Sequence, residues 1–532
     1  MNLDKMLRQK QYDEIWQEYC GFLDLSLDEF MAIQSRLLME QIDLYADCEL
    51  GRRIMGPHKP GSVEEFREIV PLTRYKDYAD LLLQKTETAL PSKPLLWIKT
   101  SWEGGTNPEK WAPYTESMIE CHKGTFITCM ILSTSSKRGE FNLKSNEKFL
   151  YGMAPLPYLT GIVPHIIADE LTVDFLPPTK EAEAMTFGER NKVGMKLGLS
   201  KGIDLFFGLS SVIMVISRGL SEKKGESGIF KLLKTSPKSV FRLVRAWLRS
   251  RNENRNILPK DLWTLKGLIC AGTDTAVFKN KIEEYWGVKP LEIFGGTEPT
   301  CIASETWARD GLVFFPDVCF YEFIPLSEVE RGYQNHGYQP RTYLMNELRA
   351  GEEYELVISN LKGGAFSRYR VGDMFRCIRT KNDAEGIRLP QFVYVDRDPS
   401  VIDISGFTRI SEKTIEKAIH LSGISINDWF AVKEFDQEDR AFFHLYVETD
   451  NRAINPAAAE EIIKDHLTIY FRYVDADYKD LKRLLGIDPL AVTILPEDTI
   501  GRFVRTTQRK LRKMNPSHYD VIEILRSCRD SS

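Results

Sequence analysis

The chain has 532 residues, 43% hydrophobic and 28% charged, with a formal net charge of −5 at pH 7. That size exceeds one ordinary core and calls for two or three domains. The composition is that of a soluble globular protein, and the slight acidity gives no bulk attraction to nucleic acid. Nine cysteines are scattered singly, without a C-x-x-C pair, which argues for reduced thiols in the cytoplasm. The eight histidines form no metal-spaced pair, and no G-x-S-x-G nucleophile elbow occurs.

In chain order, the charged start from Met1 to Lys10 lacks the apolar core of a secretory signal. Leu23, Leu25, Phe30, Ile33, Leu37 and Leu38 recur at helical spacing, so residues 1–60 are read as a helical layer opening a large first domain. Phe66 to Leu83 reads as a short helix, a break at Pro71 and a second helix. The longest apolar run, Leu205 to Ser217, falls short of the ~20 residues of a membrane helix and reads as a buried core segment. Residues 218–255 carry eleven Lys or Arg against three Glu. There Phe241, Val244, Trp247 and Leu248 line one face of a candidate helix. We read it first as a solvated helical insertion with that face on the core. The other reading is a membrane-surface or docking helix for an anionic partner.

A strand–helix–strand unit follows. Leu265 to Cys270 is a strand, Ala271 to Asp274 a turn, 276–286 a helix ended by Gly287, and Leu291 to Phe294 the next strand. Glu355 to Ser359 is a further strand, turning at Gly363-Gly364 and returning toward Tyr369. Asp396-Arg-Asp-Pro399 follows the strand Phe392 to Val395 and reads as a hinge. Two domains result, 1–395 and 396–532. The second is a small α+β unit: strands at 401–404, 430–435, 441–448 and 491–495, helices at 411–421 and 457–471, then a basic tail.

Two polar clusters stand at predicted strand ends: Phe294-Gly-Gly-Thr-Glu298 and Tyr369-Arg-Val-Gly-Asp373. Ligands of open parallel sheets bind at the carboxyl ends of strands. Glu298 offers the hard oxygen donors that Mg²⁺ requires. Asp373 can accept hydrogen bonds from both hydroxyls of a ribose. Together they suggest ATP chemistry in a chain without a Walker phosphate loop.

The order of these clusters, the hinge and a small basic-ended domain resembles the adenylate-forming superfamily, and more closely the auxin-responsive acyl-acid amido synthetases of plants and their bacterial relatives. Phe66-Arg-Glu-Ile-Val-Pro-Leu-Thr-Arg-Tyr-Lys-Asp-Tyr78 and Phe320-Tyr-Glu-Phe-Ile-Pro325 are similar to segments of that family, and Tyr369 to Asp373 to its ribose motif. The resemblance implies an α/β fold: a large N-terminal domain of parallel and mixed sheets with packed helices, and a small, mobile C-terminal α+β domain. It also implies ATP, Mg²⁺ and two half-reactions. A carboxylic acid attacks the α-phosphate, then an amine takes the acyl group. A thiol acceptor, coenzyme A or a carrier arm, is the second reading, and a non-catalytic relative the third.

By the same resemblance, Thr297 and Glu298 match nucleotide and metal positions, Gly272 the segment against the adenine, Asp373 the ribose carboxylate and Arg397, before Gly406, the hinge arginine. The family's acidic hinge position falls on Pro399 and its lysine on Asp403. The phosphate loop corresponds to Thr100 to Pro113, where Ser101, Gly105, Thr106 and Lys110 keep its character while Trp102 and Glu103 replace small hydroxyl residues. Gln508 with Lys510 or Lys513 resembles the family's ending, whose lysine lies near the reacting carboxylate. Residues from about Met118 to Ile131 and Tyr151 to His165 line the acid pocket by this analogy.

Overall fold

The computed structural model describes residues 2–100, 109–221, 237–335, 337–397, 401–404, 408–437, 439–449, 455–474, 488–509 and 511–529. Met1–Thr100 and Trp111–Val395 form one compact unit, and the chain from Asp396 onward, together with residues 101–110, is grouped as the second.

The large unit is organised by one mixed sheet of eleven strands. Its order is Cys319–Pro325, Glu353–Asn360, Tyr369–Arg379, Gln391–Arg397, Leu312–Phe314, Thr300–Glu305, Leu291–Gly296, Gly267–Ala271, Leu205–Leu209, Glu147–Gly152 and Val173–Leu176. From Leu291–Gly296 onward the pairing is parallel. On its other side Leu291–Gly296 pairs antiparallel with Thr300–Glu305.

The parallel strands are nearly all apolar because both faces are covered. Leu205, Phe207 and Ile269 join the core beneath the helix Glu116–Ser133. The alternate residues Phe206, Leu268 and Cys270 join a second core with Leu199, Phe278, Ile282 and Trp286. That period of two is the strand geometry itself. Helix ends follow side-chain chemistry: Ser26 with Glu29 and Thr186 with Glu189 form capping boxes, and Thr115 caps Glu116–Ser133. The run Leu205 to Ser217 is buried as expected, but it divides into a strand and the start of the helix Ser210–Ser221.

One expectation reverses. In the helix Pro237–Asn252 the buried residues are Ser239, Leu243, Ala246 and Ser250. Phe241, Val244 and Leu248 are exposed by 73%, 47% and 52%, so these three face away from the core, while Trp247 packs partly against it.

In the second unit, Ile426–Phe435 pairs antiparallel with Ala441–Thr449, which pairs parallel with Leu490–Leu495. Val401–Ile404 pairs with Thr408–Ser411, a strand the sequence reading passed over. The stretch read as a basic tail instead forms two helices, Thr499–Thr507 and His518–Arg529. Ile500, Phe503, Val521 and Ile524 give them a shared core with Phe430 and Tyr446.

Candidate active site

Three strands lie between Tyr369–Arg379 and Leu291–Gly296 in the sheet order, which makes four steps from one to the other. Laid flat, four steps of ~4.8 Å would hold those strands almost 20 Å apart. Yet the rings of Phe294 and Phe375 lie 4.7 Å apart, and Phe294 stacks on Tyr394 at 5.6 Å. The sheet therefore curls, and it brings the two sequence clusters together. The Tyr369 hydroxyl donates to Glu298 Oε1 at 2.8 Å. Both residues are buried.

Thr297, Glu298 and Pro299 are the turn between Leu291–Gly296 and Thr300–Glu305, where the sheet changes from parallel to antiparallel. This differs from the purely parallel strand end expected from the sequence. The turn is held from both sides. Asn360 Nδ2 donates to the Glu298 carbonyl at 2.9 Å, and the Tyr114 hydroxyl donates to the Thr297 carbonyl at 2.6 Å. Tyr114 ends the strand Lys110–Tyr114, which pairs with Leu96–Thr100. Tyr75 accepts from the Trp111 N–H at 2.8 Å and ties the same strand to the N-terminal segment. Burial, reinforced by the Glu298 charge, pushes the Tyr114 phenol far up. Burial pushes Tyr75 up to about 12, with the Trp111 N–H opposing and Glu298 adding to the rise. Both phenols therefore stay protonated donors at neutral pH.

Asp373 is presented by a bulge. Arg370 pairs with Val357 and Met374 with Glu355, so Val371, Gly372 and Asp373 stand opposite Leu356 alone. Gly372 has φ +79°, a conformation that side-chain-bearing residues seldom adopt. This is the physical reason for glycine in Tyr-Arg-Val-Gly-Asp. Asp373 is buried, and the Tyr394 hydroxyl lies 3.4 Å from its Oδ1. Gly272 also has positive φ, +120°, after the strand Gly267–Ala271.

The turn before Tyr369 is pinned by the segment Thr73 to Tyr78. Thr73 N–H donates to the Arg368 carbonyl at 2.9 Å, and Arg370 N–H returns to Thr73 at 3.0 Å. The Tyr78 hydroxyl donates to the Ser367 carbonyl and accepts from its N–H, both at 3.0 Å.

The remaining assigned residues divide. Ser101, Trp102, Glu103, Gly105, Thr106, Pro399, Gly406 and Lys510 lie outside the described residues, as does much of 218–255. Lys110 is half-buried at the start of its strand. Arg397 and Asp403 lie in the second unit, 3.8 Å apart, and Arg409 sits 3.0 Å from the same carboxylate. Burial works against ionisation of Asp403, but Arg409, then Arg397 and Lys433, hold its carboxyl below the usual range. Lys513 also belongs to the second unit, with Nζ 3.8 Å from Asp428 and 5.0 Å from the Trp429 ring. Sequence reasoning missed Tyr114, Asn360 and Tyr394. Of these only Tyr394 had a signal, its place on the same strand face as Phe392.

The GH3 family N-terminal domain matches residues 21–151, and the GH3 family central domain matches residues 312–397. The chain carries GH3 family domains. The central-domain match contains Asp373 and Tyr369, whereas Gly272 and Glu298 fall outside both matches. Among GH3 relatives, a "Probable indole-3-acetic acid-amido synthetase GH3.4" of Oryza sativa subsp. japonica is 23% identical over 456 residues, covering 73% of this chain and 67% of that protein. A "Jasmonoyl--L-amino acid synthetase JAR4" of Nicotiana attenuata is 26% identical over 228 residues, 40% of this chain. That match spans 36% of the relative's own length. Among solved structures, a 2-hydroxyisobutyryl-CoA ligase complex aligns with TM-score 0.58 at 16% identity, covering 96% of this chain and 93% of that one. The "AtGH3.15 acyl acid amido synthetase in complex with 2,4-DB" aligns with TM-score 0.53 at 15% identity, covering 96% and 95%. At these identities the likeness establishes the fold shared by GH3 proteins and acyl-CoA ligases.

Proposed function

We propose that this chain is an ATP-dependent acyl-acid amido synthetase, which adenylates a carboxylic acid and passes the acyl group to an amine. The observation that carries the reading is the meeting of the two clusters: a buried Glu298 fixed by Tyr369, beside a strand whose bulge presents Asp373. The names of the GH3 relatives support it.

The residues fit the groups this chemistry needs. Among the described residues no cluster of three or more His, Cys, Asp or Glu could hold a metal ion. Mg²⁺ takes one or two carboxylates and completes its shell with phosphates and water. Glu298 is the carboxylate we assign, and bound Mg²⁺ would supply charge neutralisation at the phosphates. Asp373 would accept from the ribose hydroxyls, and Gly272 would lie against the base. Thr297 and Lys110, with Ser101, Gly105 and Thr106, are assigned to the phosphates.

In the first half-reaction an oxygen of the acid attacks the α-phosphorus as the bond to pyrophosphate breaks. The second step forms a bond from the amine nitrogen to the acyl carbon. The carbon–oxygen bond to AMP breaks, and the nitrogen gives its proton to solvent. Transfer at phosphorus needs alignment and electrostatic stabilisation more than acid–base groups. The chain's own part is therefore to hold: Tyr369, Asn360 and Tyr114 fix the Glu298 turn, and Gly372 sets the Asp373 carboxylate. In this reading Lys510 or Lys513 serves the reacting carboxylate, Arg397 the hinge, and 396–532 is the mobile domain. The nine free thiols suit a reducing cytoplasm.

The test is pyrophosphate release by the full chain with ATP, Mg²⁺ and a panel of carboxylic acids, alone and then with amino acids or coenzyme A. Acid-dependent release that amino acids accelerate is expected. Acceleration by coenzyme A alone would move the acceptor to a thiol. Silence across the panel, with no ATP binding by calorimetry, would overturn the reading.

A further inference from the structure

The helix Pro237–Asn252 is amphipathic in an uncommon sense. At about 100° per residue, its buried residues Ser239, Leu243, Ala246 and Ser250 occupy one narrow side. Three of the four are small, and Leu243 and Ala246 join the second core, with Trp247 packed partly against it. Phe241, Val244 and Leu248 fall on the opposite side, and all three are exposed. Their spacing of three and four residues makes one continuous stripe.

Cations border that stripe. Lys238 and Arg245 stand on one flank and Arg251 on the other, all exposed. Arg251 lies 4.8 Å over the half-buried Trp247 ring. Two further arginines anchor the helix. Arg242 donates to the carbonyls of Gly198, at 3.2 Å, and Leu199 at the end of the helix Phe187–Lys201. Arg249 lies 3.7 Å from the buried Asp261, which Arg255 clamps with 2.6 and 2.9 Å hydrogen bonds. The underside is thus fixed by core packing of Leu243 and Ala246 and by these polar contacts, and the outward side is an apolar ridge bordered by positive charge.

We propose that this face docks on an anionic lipid bilayer. A ridge of this kind fits the boundary between headgroups and acyl chains. Phe241, Val244 and Leu248 enter the apolar layer, while Lys238, Arg245 and Arg251 reach the phosphates on either side. An acidic protein would meet the charges but would also need a groove shaped to three protruding side chains. A bilayer needs no such shape. Charge segregation favours the same occupant: residues 218–255 hold eleven Lys or Arg and three Glu in a chain of net charge −5. The remainder of the chain carries the net negative charge, so this basic segment is a favoured point of approach to an anionic surface. No described helix is long and apolar enough to cross a membrane, so the contact is peripheral.

The test is cosedimentation of the full chain with phosphatidylcholine vesicles, with and without phosphatidylserine, at low and raised salt. Binding is expected only with phosphatidylserine, weakening as salt rises. The pair Phe241→Ser/Leu248→Ser should cut binding at least ~10-fold, since the inserted apolar area sets the affinity. The pair Lys238→Glu/Arg245→Glu should do the same, at roughly fivefold or more per cation. Unchanged melting temperatures in both pairs would show that the fold is intact, because all four side chains are exposed. No binding to phosphatidylserine vesicles, or binding that both pairs leave untouched, would overturn the proposal. So would self-association abolished by the serine pair without vesicle binding, which would assign the face to a second copy. Retention on a soluble polyanion without vesicle binding would also overturn it.

Discussion

Removing the Tyr369 hydroxyl tests whether the two clusters form one site. Tyr369→Phe deletes a single oxygen and leaves the ring, which packs 4.7 Å from Phe366 and 6.2 Å from Tyr78. What is lost is a 2.8 Å hydrogen bond to a buried carboxylate. Hydrogen bonds to charged groups contribute ~1.5–3 kcal/mol, and a buried charge deprived of its donor is destabilised by a similar amount. Tyr369→Phe should therefore destabilise the large unit by ~1.5–3 kcal/mol. In a Glu298→Ala background the same change should be nearly neutral, because the hydroxyl there has already lost this acceptor. The difference between backgrounds is the coupling energy of the pair. Denaturant unfolding followed by tryptophan fluorescence suits the measurement, since Trp429 is the one tryptophan after residue 395. Equal losses in both backgrounds would refute the reasoning. In turnover, both single variants should raise the Mg²⁺ concentration needed for half-maximal pyrophosphate release.

Gly372→Ala should cost ~1–2 kcal/mol for placing a side chain at φ +79°, and should weaken ATP binding in calorimetry because Asp373 shifts with the bulge. Lost stability with unchanged ATP affinity would remove Asp373 from the nucleotide site. His122 is buried, with neither ring nitrogen hydrogen-bonded, and burial lowers its pKa to about 4. The folded state resists protonation while the unfolded chain takes a proton near pH 6.5. The stability it contributes is therefore full above that pH and is lost as pH falls toward 4, by ~3 kcal/mol in all. His122→Leu should flatten this part of the stability–pH profile, and identical profiles would show that the imidazole is not buried neutral.

Both clusters were legible in the sequence because each is short and local. In one, a Gly-Gly pair stands beside Glu298, and in the other a bulge glycine stands beside Asp373, so each carries its chemistry within a few residues. The parallel strands were legible for a related reason: burial on both faces leaves continuous apolar runs such as Leu205 to Leu209. Two features were not. The face of Pro237–Asn252 was read the wrong way because apolar size is the sequence signal for burial, whereas three of the four residues this helix buries are serine or alanine. The terminal helices were hidden by charge. Their apolar positions, Ile500, Phe503, Val521 and Ile524, are sparse among arginines.

What sequence reading cannot supply is the support behind the motif, and Arg368 shows why. It directly precedes Tyr369, is buried, and has φ +43° without being glycine. Its guanidinium reaches Glu322 at 3.0 and 2.8 Å, the carbonyls of Arg67 and Val70 at 2.5 Å each, and Thr342 Oγ1 at 3.2 Å. Those partners lie 26 to 301 residues away. A strained backbone persists only where its surroundings over-determine it, and here three distant segments supply acceptors to one guanidinium. Thr73 and Tyr78 bond to the same turn, at Arg368, Arg370 and Ser367. The hydroxyl that meets Glu298 thus follows a turn anchored by Arg368 to Glu322, two strands away in the sheet. Breaking Arg368 from Glu322 should disturb the site without touching either cluster, which is the behaviour of a scaffold built before its ligand arrives.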